Sequence, residues 1–148
     1  MFLNEYIEAL ELNFDISKED ATARFTRAAE ELAREFFGGA REYEASLNEP
    51  YGEIELIVFY DVVAAAEVED PSRQLALEAC SPLFDDVMLG DELGFVLGIN
   101  HRSRKQAEEN EARYQTLDVA PLQHQGFERA LERTLSGVYY DITGERPT

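Results

Sequence analysis

Residues 53–63, EIELIVFYDVV, begin by alternating charged and apolar residues and then run apolar from Leu56 to Tyr60. A strand that is apolar on both faces is covered on both, as interior strands are, so this run predicts the central strand of a sheet. The preceding run, EYEASLN, points Tyr43, Ala45 and Leu47 one way and Glu42, Glu44 and Ser46 the other. Between them NEPYG is a turn: Pro50 fixes φ and Gly52 accepts positive φ. The two runs predict a hairpin whose Tyr43, Ile54 and Leu56 face a core.

Helical spacing dominates upstream. Phe2, Leu3, Tyr6, Ile7 and Leu10 predict a short helix. Ser17 with Asp20 three residues on resembles a capping box, opening a helix to about Phe37 with Phe25, Ala28, Ala29, Leu32, Ala33 and Phe36 on its apolar face. Gly38-Gly39 ends it. Downstream, Asp70-Pro71 breaks the long strand, SRQLALEAC predicts a short helix capped by Ser72, and a turn at Leu89-Gly90-Asp91 leads to a strand at about Glu92–Ile99. HRSRKQAEENEARY is polar all round, a solvated helix or a loop. Phe127, Ala130, Leu131, Thr134, Leu135 and Val138 share one face of a closing helix. The order helix, helix, strand, strand, short helix, strand, helix is α+β and argues against a doubly wound nucleotide-binding fold.

A length of 148 residues suits one domain with its own core. The net charge of −18 is uneven: residues 1–100 hold 23 acids and 6 bases, and the last 48 hold 8 and 7. Such an acidic body repels nucleic acid at long range and favours a basic partner. No apolar run approaches the ~20 residues of a membrane span. The start, MFLNEYIEALEL, has acids where a secretory signal carries Lys or Arg, and the single Cys80 suits a reducing compartment, so the expected location is the cytoplasm, with no membrane partner.

The residues offer little chemistry. His101, His124 and Cys80 are too far apart for the usual zinc spacings. Asp85, Asp86, Asp91 and Glu92 lack the alternation of a calcium loop and read as turn residues. The acids of EYE and GEIE face each other on the hairpin as a glycosidase pair does, but such a pair needs a pocket that separates two pKa values, and alternating acids on a strand are far more often the wet face of a sheet. GFVLG and FFGG lack phosphate-loop spacing, and no serine stands in a nucleophile elbow. The expectation is no active site, no metal and no cofactor.

The order of segments from Phe2 to about Ile99 carries more. FLNEYIEALE, then ISKEDATARFTRAAEELAREFFGG, then EYEASLNEPYGEIELIVFYDVVAAAEVEDP, then LALEACSPLFDDVMLGDEL resembles the N-terminal domain of the bacterial transcription elongation and termination factor NusA. The resemblance implies an α+β domain with a helical body, about 1–39 and 127–143, and a small β-sheet head, about 40–100. GFERALERTLSG stands for the family's closing helix, with Arg129 on a family Arg and Ser136 where the family has Lys. Residues 101–125 are then an inserted segment, and no S1 or KH domain is expected in these 148 residues.

In the family this domain docks on RNA polymerase at the β flap, near the RNA exit channel. It modulates pausing, elongation, termination or antitermination and catalyses nothing. By resemblance, a short amphipathic partner helix is expected in an apolar groove, with Phe2, Tyr6, Phe25 and Phe36 as candidate anchors. Arg34 matches a basic family position, and with Arg102, Arg104, Lys105 and Arg129 it is expected to face exiting RNA. The lost Lys and the acidity make RNA contact weak or indirect. A second reading keeps the fold without the polymerase: a diverged stand-alone paralogue acting as a protein–protein adaptor or homodimer.

Overall fold

A computed structural model describes residues 3–38, 41–97, 99–117 and 126–144. Helix α1 (Leu3–Phe14) buries Leu3, Tyr6, Ile7 and Leu10 on one stripe. Asp15 takes a left-handed φ of 54°, and the Ile16 N–H reaches back to the Leu10 carbonyl at 3.3 Å, which closes the helix end. Helix α2 (Lys18–Phe37) starts where Ser17 accepts the Asp20 N–H at 3.1 Å and ends at Gly38, whose N–H bonds the Arg34 carbonyl. Its buried face is Ala21, Phe25, Ala29, Leu32, Ala33 and Phe37, with Phe36 half-buried beside it.

Strands β1 (Glu42–Asn48) and β2 (Glu53–Val63) form the expected antiparallel hairpin. The inward set is Tyr43 with Ile54, Leu56, Val58, Tyr60 and Val62, all buried. β2 is the central strand. Asp61 pairs with Gln74 of β3 (Gln74–Ala76) in parallel on one side and with Glu92 of β4 (Glu92–Val96) in antiparallel on the other. Ile57 and Phe59 on its second face are only half-buried. They lie over Gly94, where a Cβ would stand 2.9 Å from both side chains, so the absence of a side chain there makes room for them.

Several expectations are corrected or sharpened downstream. Ser72 caps no helix: its N–H and hydroxyl bond the Asp70 carboxylate at 3.0 and 2.6 Å, holding that carboxyl below its usual pKa range. Gln74–Ala76 is strand β3, and only Leu77–Cys80 is helical (α3). The run was drawn into the sheet because Leu75, opposite Val62, is buried there. The strand expected to reach Ile99 ends at Val96. Asn100 then opens α4 (His101–Glu109) with a reciprocal cap: its side chain accepts the Ser103 N–H at 2.9 Å, and Ser103 Oγ accepts the Asn100 N–H at 3.1 Å. Of the two readings, solvated helix or loop, the helix holds: Arg102, Lys105, Gln106, Glu108 and Glu109 are exposed, while Ser103 and Ala107, four apart, are buried. α5 (Glu111–Leu117) follows.

Helix α6 (Phe127–Thr143) completes a three-helix body against α1 and α2. Its Phe127 ring sits 5.2 Å from Phe36, edge-on, and 5.0 Å from Phe37, while Tyr139 lies 4.6 Å from Tyr6. The buried residues of helices and sheet form one continuous cluster, so head and body share a core. Among the described residues, no helix is long and apolar enough to cross a membrane.

Candidate functional site

A cleft of about 360 Å³ opens where α1, α6 and the tip of the hairpin meet. Leu3 and Tyr6 of α1, Ile54 of β2, Ile99, and Leu131 and Leu135 of α6 make its apolar walls. Glu53, Glu128 and Glu132 edge it, with Asn100 and Ser136 as neutral polar groups. The Tyr6 and Ser136 hydroxyls are hydrogen-bonded at 2.9 Å across the α1–α6 seam.

Several contacts hold the hairpin tip in place. Asn4 Nδ2 donates to the Glu49 carbonyl at 3.0 Å. Gly52 has φ +63°, and a Cβ there would stand 3.0 Å from Asn4 Nδ2, so a side chain would meet both an unfavourable backbone conformation and the close approach of Asn4. The Arg102 guanidinium sits 3.3 Å from the Tyr51 ring centroid and 3.9 Å from Glu53. Asn100 Nδ2 donates to the Ile54 carbonyl at 3.3 Å, and Arg104 pairs with Glu128 at 2.6 Å. Helix α4 thus ties the sheet to the start of α6 at one side of the cleft.

The proposed anchors separate. Tyr6 stands in the cleft wall and is 7% exposed. Phe25 is 0% exposed, a core residue with no surface to offer a partner. Phe36 is half-buried against Phe127, and Phe2 lies outside the described residues. Of the basic set, Arg104 is held by Glu128, Arg102 stacks on Tyr51 with Glu53 3.9 Å away, and Arg102, Arg34, Lys105 and Arg129 are exposed. The hairpin acids do not face one another in pairs: Ser46 stands opposite Glu55, and Asn48 opposite Glu53. Asn48 Nδ2 donates to the Glu55 carboxylate at 2.9 Å. Cys80 is fully buried, which pushes its thiol pKa up, and among the described residues no three His, Cys, Asp or Glu side chains gather as a metal site. His124 lies outside the described residues.

Sequence reading missed Asn100, Leu131, Leu135 and Ser136 as cleft residues, and Asn4 as the residue that holds the hairpin tip. Leu131 and Leu135 carried a signal, four apart on one apolar face. The two asparagines carried none, because their partners are 45 and 46 residues away.

A profile of the NusA N-terminal domain family matches residues 3–116. The chain belongs to that family. The NusA N-terminal domain is a transcription-factor domain associated with RNA polymerase. The matched span takes in α4 and most of α5, which the reading above counted as inserted, and stops before α6, which it aligned with the family's closing helix. The fold is similar to the solution structure of the N-terminal domain of NusA from B. subtilis, with TM-score 0.56 and 23% identity, over 88% of this chain and 96% of that one. No curated protein matches the chain.

Proposed function

We propose that this NusA N-terminal-like chain is a non-enzymatic docking domain that binds RNA polymerase at the β flap, near the RNA exit channel, and so modulates pausing, elongation or termination. The cleft between α1, α6 and the hairpin tip is the observation that carries the reading. Its Leu3, Leu131 and Leu135 walls suit the apolar stripe of a short helix, and its Glu53, Glu128 and Glu132 edge suits basic residues flanking that stripe. Nascent RNA is contacted weakly or indirectly, because the chain is strongly acidic and Arg104 already bonds Glu128. The protein acts in the cytoplasm, where its polymerase is.

The test is binding of the isolated β-flap tip helix, measured calorimetrically at 50 mM and 500 mM salt. Apolar docking predicts affinity that falls by less than tenfold between the two. Leu135→Glu, at a half-buried wall position, is expected to abolish binding while leaving the circular dichroism spectrum unchanged. Absence of flap binding by the wild-type chain would overturn the proposal in favour of an adaptor that has lost the polymerase.

A further inference from the structure

Among the described residues, no strand pairs with the outer edge of β1. In an antiparallel pair, the backbone groups of alternate residues point to opposite sides of the strand. The Leu56 carbonyl accepts the Leu97 N–H at 2.8 Å, and Val62 bonds Asp91 and Gly90, so the even-numbered residues of β2 direct their backbone groups toward β4. The odd-numbered ones therefore point toward β1, and the register pairs them with Glu42, Glu44, Ser46 and Asn48. It follows that Tyr43, Ala45 and Leu47 present their N–H and C=O groups away from β2. β3 shares that side of β2 but pairs only with residues 61–63, beyond the end of β1. Among the described residues, no backbone hydrogen bond fills the outer side of Ala45 or Leu47.

Beside this edge lies a cleft of about 520 Å³, walled by Thr22, Ala23 and Thr26 of α2 and by Ala45 and Leu47 of β1. A strand laid ~4.8 Å from β1 enters this space between edge and helix. Small side chains on α2 leave room there for small or β-branched residues. The opposite face of β1 presents Glu42 and Glu44, both exposed, and neither has an ion-pair partner among the described residues. Across β2 their neighbours are Phe59 and Ile57, which neutralise nothing.

We infer that β1 accepts an extended protein segment as an added strand, with small or β-branched residues facing α2 and Lys or Arg at the alternate positions beside Glu42 and Glu44. A second copy of this chain fits poorly, since edge-to-edge pairing gathers the carboxylates of two copies on one face. The site is separate from the α1–α6 cleft and stands whether or not the chain binds polymerase.

The probe is the peptide Lys-Val-Lys-Val-Lys-Val-Lys, titrated into the 15N-labelled protein, with the Glu-for-Lys peptide as control. The expected result is that the Ala45 and Leu47 amides shift most and exchange more slowly with solvent, while the control does not bind. Ala45→Pro removes an outward N–H without breaking a β1–β2 bond, and is expected to weaken binding at least tenfold with the spectrum still dispersed. Glu44→Lys, which leaves the backbone edge intact, is expected to weaken it at least threefold. Equal binding of the two peptides, wild-type affinity in both variants, shifts confined to the α1–α6 cleft, or concentration-dependent self-association through β1 without peptide binding would each overturn the inference.

Discussion

Gly52 and Tyr43 illustrate two residue-scale constraints on the hairpin. Gly52 holds positive φ against Asn4, so Gly52→Ala combines a backbone cost of about 1–2 kcal/mol with a steric one, and urea unfolding is expected to report at least that loss. The Tyr43 hydroxyl is buried with no well-aligned hydrogen-bond partner, although Arg41 is near. Burial pushes its pKa up to about 12 from 10.0, against the pull of the Arg41 charge. The fold therefore favours the neutral phenol. Its contribution is complete below pH 10 and is lost as pH rises from 10 to 12, at about 1.4 kcal/mol per pH unit, because the unfolded chain ionises first. Tyr43→Phe is expected to remove this loss while leaving stability at pH 7 unchanged or slightly higher, as checked by urea midpoints at pH 8 and pH 11.

At the scale of elements, α4 is the part that polarity alone leaves undecided between solvated helix and loop. Its hydrophilic composition reads as solvated, yet the Asn100–Ser103 cap and buried Ala107 fix it against the sheet. Asn100→Ala removes the cap and the bond to the Ile54 carbonyl, and is expected to cost about 1–2 kcal/mol in thermal or urea unfolding. The same variant frees the side of the cleft where Arg102 stacks on Tyr51, so amide exchange in residues 51–54 is expected to quicken. Helix α2, in contrast, was readable end to end, because Ser17, its apolar stripe and Gly38 are local signals. β3 was not, because three residues take strand geometry only when β2 supplies the ladder.

At the scale of the whole molecule, charge dominates. Only three ion pairs occur among the described residues, against a net charge of −18, so most acids remain uncompensated and repel one another. Stability is expected to rise with salt, and the urea midpoint to be higher in 0.5 M than in 0.05 M sodium chloride, as screening shortens the reach of that repulsion. A fall in the midpoint would mean that the few ion pairs outweigh the excess of acids.

The amino-acid sequence by itself determined the α+β class, the two N-terminal helices, the hairpin and its inward face, and the central position of β2. These follow from periodicity, caps and turns, which act between residues a few positions apart. Only the tertiary structure decided that Gln74–Ala76 is a strand, that α4 packs on the sheet through Ser103 and Ala107, that Phe25 belongs to the core, that Asn100 and Ser136 line one cleft, and that Asn4 holds the hairpin tip. Those outcomes depend on partners tens of residues away, and the free energy of burying or pairing a side chain is set by what the folded chain brings against it.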